Sequence, residues 1–208
     1  MEIATHIDAL RTEGERMAAA VAAASPDDRE LVPWFRAGYT GLADALDSAP
    51  DDLDCWTFLP APSPRAMWAR RQAHETAIHR VDAELATRDD ASLSPFDPEF
   101  AADGVDELLS CFLPRPRTRL RSDPPTTLGV SCTDADAAWH LRIGPAGVAT
   151  TPGREAAVSD GDPACQIRAA AADLYLVLWS RRSPGVLEHS GRDTVLQLFL
   201  EKVDIRWA

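Results

Sequence analysis

The spacing of apolar residues changes once along this chain of 208 residues, at a polar and turn-rich segment, residues 88–95. Before this segment, apolar residues recur every three or four positions, as on the buried stripe of an α-helix. After it, short segments alternate apolar and polar residues, as strands with one buried face do. The chain is therefore predicted to be an α+β protein with a helical domain over residues 1–92 and a small α/β domain over residues 93–208.

Three helices are predicted in the first domain. They cover about residues 2–24, a segment that begins at Ser25-Pro26-Asp27-Asp28 or at Pro33, and about residues 64–87. Gly14 falls inside the apolar stripe of the first helix, where it allows close approach of another backbone. The proline-rich residues 59–64 cannot be helical and form a connector before the third helix.

The second domain is predicted to combine short helices with a mostly antiparallel sheet. Strands are expected at residues 128–132, 138–143, 165–169 and 203–207, and helices near residues 103–112, 171–181 and 194–202. The second of these strands shows the alternation, with apolar Trp139 and Leu141 on either side of polar His140. A basic, proline-broken run, residues 114–121, precedes the first strand.

Charge and composition exclude several classes of partner. A formal net charge of −12 would repel a phosphate backbone, so we expect no nucleic acid as partner. No apolar run approaches the roughly 18 residues of a membrane span. Residues 1–6 lack a basic and then apolar leader, so we expect a cytoplasmic protein. The four cysteines form no C-x-x-C pair, which favours reduced structural thiols over a disulfide framework or a cysteine zinc site.

The third predicted helix carries the residues with the most chemistry. At 100° per residue, one stripe about 80° wide is polar and consists of Trp68, Gln72, Glu75, His79 and Asp82. An apolar stripe beside it is expected to face the core and consists of Met67, Ile78, Val81 and Leu85. The far side holds Ala73, Ala77, Arg80 and Glu84. A carboxylate at the edge of the buried face costs several kcal/mol if it is left unpaired, so Glu75 needs a partner.

The spacing of Glu75 and His79 leaves three partners open. A carboxylate oxygen and an imidazole nitrogen one helical turn apart can both reach one divalent metal ion. A direct hydrogen bond from His79 to Glu75, or an ion pair of Glu75 with Arg71, would need no metal. His74 and His79 are five positions apart, about 140° around the helix, and cannot share an ion as the histidines of a zinc protease do. His74 is expected to be partly exposed or at the edge of the core.

Five segments of the chain carry distinctive motifs: Phe-Leu-Pro-Ala-Pro-Ser-Pro at residues 58–64, Trp-Ala-Arg-Arg-Gln-Ala-His-Glu at 68–75, His-Arg-Val-Asp-Ala-Glu at 79–84, Ala-Asp-Gly-Val-Asp-Glu at 102–107 and Leu-Tyr-Leu-Val-Leu-Trp-Ser-Arg-Arg at 174–182. Together they resemble the mycothiol-dependent maleylpyruvate isomerase family of actinobacteria. The resemblance covers residues 30–208 well and residues 1–24 weakly. It implies a DinB-like helical bundle followed by a small α/β domain.

The resemblance also implies a function. In this family a divalent metal, usually zinc, is held by three protein ligands, two of which match Glu75 and His79. The metal activates a low-molecular-weight thiol, mycothiol or a similar one, whose thiolate attacks an electron-poor carbon. Addition, rotation about the resulting single bond and elimination isomerise the substrate, whereas other DinB-like enzymes transfer the thiol. Arg181 and Arg182 are candidates for binding carboxylates of substrate or thiol, or for an interaction with a helix C-terminus.

The chain departs from the family pattern at the third metal ligand. The family carries this histidine on a further helix, after a Cys-Pro-Gly-Trp-like turn, and the chain has no such segment between its first helix and Leu31. His6, His140 and His189 are poorly placed to replace it. The bundle is therefore predicted to be shortened to about three helices, with an apolar stripe that the second domain or a partner subunit, as in a homodimer, would cover.

Two functions follow from the resemblance and the departure. The first is a metal- and thiol-dependent isomerase or transferase acting on a small electrophilic substrate that carries a carboxylate. The second is a non-catalytic or metal-free relative that binds a small molecule or oligomerises, in secondary metabolism for example.

Overall fold

A computed structural model describes residues 1–24, 30–153 and 162–203, and the chain divides into two compact units, Met1–Ser94 and Pro95–Ala208. The first unit is helical. The second contains a five-stranded, mostly antiparallel sheet with helices. The predicted α+β class is therefore confirmed. Within the described ranges, no helix is long and apolar enough to cross a membrane.

The described part of the first unit contains three long helices, α1 (Ile3–Ala24), α2 (Leu31–Ser48) and α3 (Pro64–Leu85). Helix α1 packs along α3 and also against α2, whereas α2 and α3 have little contact with each other. The Ser63 side chain caps α3 by accepting a hydrogen bond from the backbone N–H of Ala66 at 3.1 Å. Helix α2 begins at Leu31, which places Pro33 in its first turn. The alternative start at residues 25–28 lies outside the described residues.

A buried ion network joins α1 to α3. The fully buried guanidinium of Arg80 donates from Nε to Glu13 Oε2 at 2.8 Å and from Nη1 to Glu84 Oε2 at 2.8 Å. The backbone N–H and the hydroxyl of Ser94 donate to the Glu84 carboxylate at 3.0 and 2.6 Å. Burial of Glu84 opposes its ionisation, but the hydrogen bonds from Ser94 and Arg80 outweigh burial and lower the pKa of this carboxyl.

The side of α3 expected to lie away from the core is instead buried. Ala73 and Ala77 are completely inaccessible, and Arg80 and Glu84 lie in the ion network. Small alanines let two helix backbones approach closely, and carboxylates compensate the buried guanidinium. The expectation for His74 was also wrong: its ring is fully buried and meets the buried ring of His6 edge to face, with centroids 6.2 Å apart.

Gly14 allows a close approach, but the neighbour is a side chain and not the backbone that the sequence led us to expect. A Cβ atom built on Gly14 would lie 2.6 Å from Cδ2 of the Tyr39 ring, so the ring of α2 packs directly on the backbone of α1. The Tyr39 hydroxyl also donates a short hydrogen bond to Glu15 of α1, which holds the ring in this place.

In its described residues, the second unit contains the sheet and three α-helices. The elements are α4 (Pro98–Asp106), β1 (Thr126–Cys132), β2 (Ala138–Gly144), β3 (Gly147–Pro152), β4 (Cys165–Ala169), α5 (Ala171–Leu178), β5 (Glu188–Gly191) and α6 (Asp193–Lys202). The strand order is β3-β2-β1-β4-β5, and only the β1–β4 pair is parallel. One face buries apolar side chains, among them Leu128, Leu141 and Ile167.

The edge strands β3 and β5 were not predicted from the sequence. Strand β3 begins with Gly147 and ends with Pro152, and all four residues of β5 are exposed. An edge strand needs only one partner and can be short and polar, so it carries little apolar alternation. Its existence is decided by its hydrogen bonds to the neighbouring strand.

Two helix boundaries also differ from the predictions. Helix α4 begins at Pro98, five residues earlier than expected, because the Asp97 carboxylate caps it by accepting from Phe100 N at 3.0 Å. It continues into a π-helical turn, Glu107–Phe112. Helix α5 ends at Leu178 rather than at residue 181. The predicted closing strand lies outside the described residues after Val203, which is itself not in a strand.

Replacing Gly14 by alanine is expected to lower the free energy of unfolding of the helical unit by about 1–2 kcal/mol, because overpacking against Tyr39 exceeds the gain in helix propensity. The matched control is Gly38→Ala in α2, where nothing lies within 4 Å of the added Cβ. This control should be stabilised by about 0.5–1 kcal/mol. Denaturant unfolding followed by circular dichroism measures both, and equal stabilisation of the two variants would contradict the Gly14–Tyr39 contact.

Replacing Arg80 by alanine is expected to cost about 3–5 kcal/mol, because Glu13 and Glu84 would then be buried without their shared cation. The control is Arg36→Ala, which removes an exposed ion pair with Glu15 at 3.2 Å and should cost less than about 1 kcal/mol. Adding Glu13→Gln to Arg80→Ala should restore part of the loss. Similar unfolding free energies for Arg80→Ala and Arg36→Ala would show that the network does not hold the helices together.

Candidate functional site

The polar stripe of α3 brings Glu75, His79 and Asp82 into one row of side chains in contact. His79 Nε2 lies 3.4 Å from Glu75 Oε2, and His79 Nδ1 lies 3.0 Å from Asp82 Oδ2. The side chains are 25%, 46% and 41% exposed, respectively, so the row is accessible to a ligand. One helix positions all three, since residues three and four apart are neighbours on its surface.

Arg71 holds the other oxygen of Glu75. Its Nη2 lies 3.0 Å from Glu75 Oε1, and its own side chain is only 2% exposed. The Glu75–His79 contact and the Glu75–Arg71 pair, left open as alternatives by the sequence, are therefore both present. They use different oxygens of one carboxylate, so Arg71 orients Glu75 without occupying the oxygen that faces His79.

The donor atoms on α3 fit part of a metal site. A metal-binding imidazole usually has its second nitrogen held by a carboxylate, as Asp82 holds Nδ1 of His79 here. Glu75 Oε2 and His79 Nε2 are then the two atoms that face a common position. Across the parts of the chain that the structure describes, no third histidine, cysteine, aspartate or glutamate atom forms a metal-binding group with them. Zinc enzymes use three protein ligands, so the set is one ligand short.

The remaining histidines do not complete this set. His6 and His74 are buried together between α1 and α3, with ring nitrogens within 4.8 Å of each other. His140 on β2 and His189 on β5 belong to the second unit. The burial of His6 was missed by sequence analysis, although its spacing of four and seven residues from Leu10 and Glu13 places it on the same buried face of α1.

Aromatic side chains surround the start of the polar stripe. Trp68 donates from Nε1 to the backbone oxygen of Trp56 at 3.0 Å. Phe58 stacks on Trp56 with ring centroids 5.4 Å apart and meets Trp68 edge to face at 5.8 Å. Trp56 is nevertheless 71% exposed, so this end of the stripe presents an apolar surface to solvent.

The cysteines are free thiols, as the sequence predicts. Cys55 is exposed, whereas Cys111, Cys132 and Cys165 are buried. Burial, together with the charge of Asp193, raises the pKa of the Cys165 thiol and makes its thiolate less accessible.

Arg181 and Arg182 follow α5, where Ser180 takes a positive φ of 62° and turns the chain. Arg181 donates from Nη1 to the carbonyl oxygen of Trp179 at 2.8 Å, which is the helix-terminus interaction that the sequence left open. Arg182 is paired with Asp173 through a short hydrogen bond. Arg182 also lines a cavity of about 440 Å³, whose wall includes Phe199 and the acidic Glu201. An arginine on a partly apolar cavity can bind a substrate carboxylate there.

Comparisons with known proteins give the same family for both halves of the chain. Residues 3–84 match the sequence model of the mycothiol maleylpyruvate isomerase N-terminal domain. Residues 99–198 match that of the MDMPI C-terminal domain. Together the two matches cover most of the chain. No curated protein and no solved structure matches it.

Proposed function

Because the chain belongs to the mycothiol maleylpyruvate isomerase family, we propose that it is a thiol-dependent isomerase or transferase acting on a small electrophilic substrate that carries a carboxylate. The observation that carries this proposal is the row Glu75–His79–Asp82 on α3. The row lies inside the matched N-terminal domain and is open to solvent. Both contacts along it, of Glu75 with His79 and of His79 with Asp82, are already formed. The thiol expected from the family is mycothiol or a similar small thiol.

Glu75 and His79 are the proposed ligands of a divalent metal ion, with zinc as the first candidate. Arg71 and Asp82 are the residues that position them, since Arg71 holds Glu75 Oε1 and Asp82 holds His79 Nδ1, the atoms that do not face the common position. When bound, the ion would lower the pKa of a thiol and so supply a thiolate near neutral pH. With two protein ligands the ion is held more weakly than in a complete zinc site.

Arg181 and Arg182 are the proposed binding groups for carboxylates of substrate or thiol. The planar guanidinium of Arg182 is held at the wall of the 440 Å³ cavity by Asp173, and an incoming carboxylate would compete with that aspartate. The binding free energy that a ligand carboxylate gains from Arg182 is therefore only the difference between its own pairing with Arg182 and the pairing of Asp173 with Arg182. This difference favours a dianionic or a well-fitting substrate over a simple carboxylate.

A second function is favoured by the missing ligand and by the exposed tryptophans. Trp34 of α2 and Trp56 are 73% and 71% exposed, which is unusual for large aromatic side chains in a small helical unit. A metal-free relative could use such a surface to bind a small molecule or to form a homodimer. Sedimentation of the wild type and of a Trp34→Ser, Trp56→Ser double variant distinguishes this function, since only an oligomer that uses the tryptophans would dissociate.

Zinc titration by calorimetry tests the metal site. We expect one ion per chain in the wild type and at least tenfold weaker binding in Glu75→Gln and in His79→Ala. Asp82→Asn should weaken binding by about tenfold, because the imidazole would lose the carboxylate that orients it. The matched control is His189→Ala, which removes another exposed histidine with a carboxylate four residues away, at 3.2 Å. No binding in the wild type, or equal binding in His79→Ala, would rule out this metal site and favour the second function.

Turnover tests the enzyme. Purified protein should isomerise maleylpyruvate only when mycothiol is added, and His79→Ala should lower the rate by about 100-fold or more, since thiol activation is lost. Arg182→Gln should raise KM more than it lowers kcat if this arginine binds a substrate carboxylate. A rate that is independent of added thiol would contradict the proposed chemistry.

A further inference from the structure

A cavity of about 390 Å³ lies beside the β2–β3 hairpin, at a distance in sequence from every residue used in the proposed function. Its volume is in the range of small-molecule sites. The lining residues come from the proline-broken basic run, the approach to β1, and the hairpin. They include Arg115 and Arg142, the four prolines Pro114, Pro116, Pro125 and Pro145, and Val148.

Arg121 ties two walls of this cavity together. Its Nη2 donates to the carbonyl oxygen of Pro116 at 3.2 Å and its Nη1 to that of Pro145 at 3.2 Å. Both acceptors are neutral, and no carboxylate among the described residues pairs with this guanidinium. The hairpin comes close to it, since a Cβ atom on Gly147 would lie 3.4 Å from Nη1. Arg121 therefore leaves a net positive charge at the cavity wall.

Two further guanidinium groups line the cavity itself. Arg142 is an exposed residue of β2, and Arg115 is half-buried with its guanidinium carbon 5.8 Å from the centre of the Phe112 ring. No acidic side chain is among the described residues of the lining. The two arginines of the lining, with Arg121 at its wall, bring guanidinium groups to one concave site, although the whole chain carries a net charge of −12. Arg115 and Arg142 each take part in another interaction as well, so a ligand carboxylate competes for them.

The rest of the lining is apolar and rigid. Four of the lining residues are prolines, and Val148 adds a buried aliphatic side chain. Proline fixes φ, so these walls lose little conformational freedom when a ligand binds. A site of this kind accepts an apolar body against the prolines and an anionic group against the arginines, whereas a fully hydrated inorganic ion would leave the apolar walls unused.

We propose that this cavity binds a small organic carboxylate, with the carboxylate between Arg115 and Arg142 and an apolar body against the proline walls. Arginine suits this role because its planar fork matches a carboxylate. The site goes beyond the proposed function and does not depend on it: it uses neither the α3 row nor Arg181 and Arg182. The ligand would be a second small molecule, such as an effector.

Ligand titration of the full chain, by calorimetry with benzoate as the probe, tests the site. Wild-type protein should bind benzoate, and Arg142→Gln and Arg115→Gln should each weaken binding by about tenfold through loss of one charge-assisted contact. The matched control is Arg168→Gln, an exposed arginine on β4 of the same sheet that does not line the cavity, which should leave the affinity unchanged. Unchanged thermal unfolding of each variant shows that the fold is intact.

Titrations with other ligands distinguish this carboxylate site from a site for neutral ligands or for phosphate. Benzamide, the neutral counterpart, should bind at least tenfold more weakly than benzoate, and inorganic phosphate should bind more weakly as well. Equal binding of benzamide, tighter binding of phosphate, or an Arg142→Gln variant with wild-type affinity would overturn the proposal. Loss of benzoate binding in Arg182→Gln rather than in Arg142→Gln would also overturn it, because the ligand would then occupy the cavity beside α5.

Discussion

The buried guanidinium of Arg80 decides how the helices of the N-terminal unit pack. A cation removed from water needs carboxylates and hydrogen-bond acceptors around it, and Glu13 of α1, Glu84 of α3 and the carbonyl oxygen of Ser94 supply them. This requirement sets the rotation of α3 about its own axis. Once Arg80 points toward α1, the stripe that carries Glu75, His79 and Asp82 is turned to the accessible side of the helix.

The polar stripe on α3 shows how neighbouring residues prepare ligand atoms. Glu75 and His79 each have two atoms that could bind a metal, and in each case a neighbour holds one of them. The two remaining atoms face each other across 3.4 Å. The arrangement costs little, because all four residues lie on one helix at spacings of three and four. What the helix cannot supply is a third ligand, which must come from another element.

Arginine has several different roles in this chain, and its partners decide which one. Carboxylates surround Arg80 in the core, so its charge is structural. Asp173 pairs with Arg182 at a cavity wall, so a ligand has to compete for it. Among the described residues, Arg121 donates only to neutral carbonyl oxygens, which hold the side chain without an opposite charge. Counting arginines in the sequence does not separate these cases, since the difference lies in which atoms come within 3–4 Å.

The sequence by itself determined the α+β class, the three long helices, the inner strands and the family, and it placed Glu75 and His79 one helical turn apart on the same helix. These features depend on local periodicity, on capping residues such as Ser63, and on a spacing of four within one helix. Only the tertiary structure decided which side of α3 is buried, that His6 meets His74, that β3 and β5 are strands, and that Arg115 and Arg142 line one cavity. Each of these features depends on contacts between segments far apart in the chain. No repeating pattern in the sequence indicates which of these segments meet.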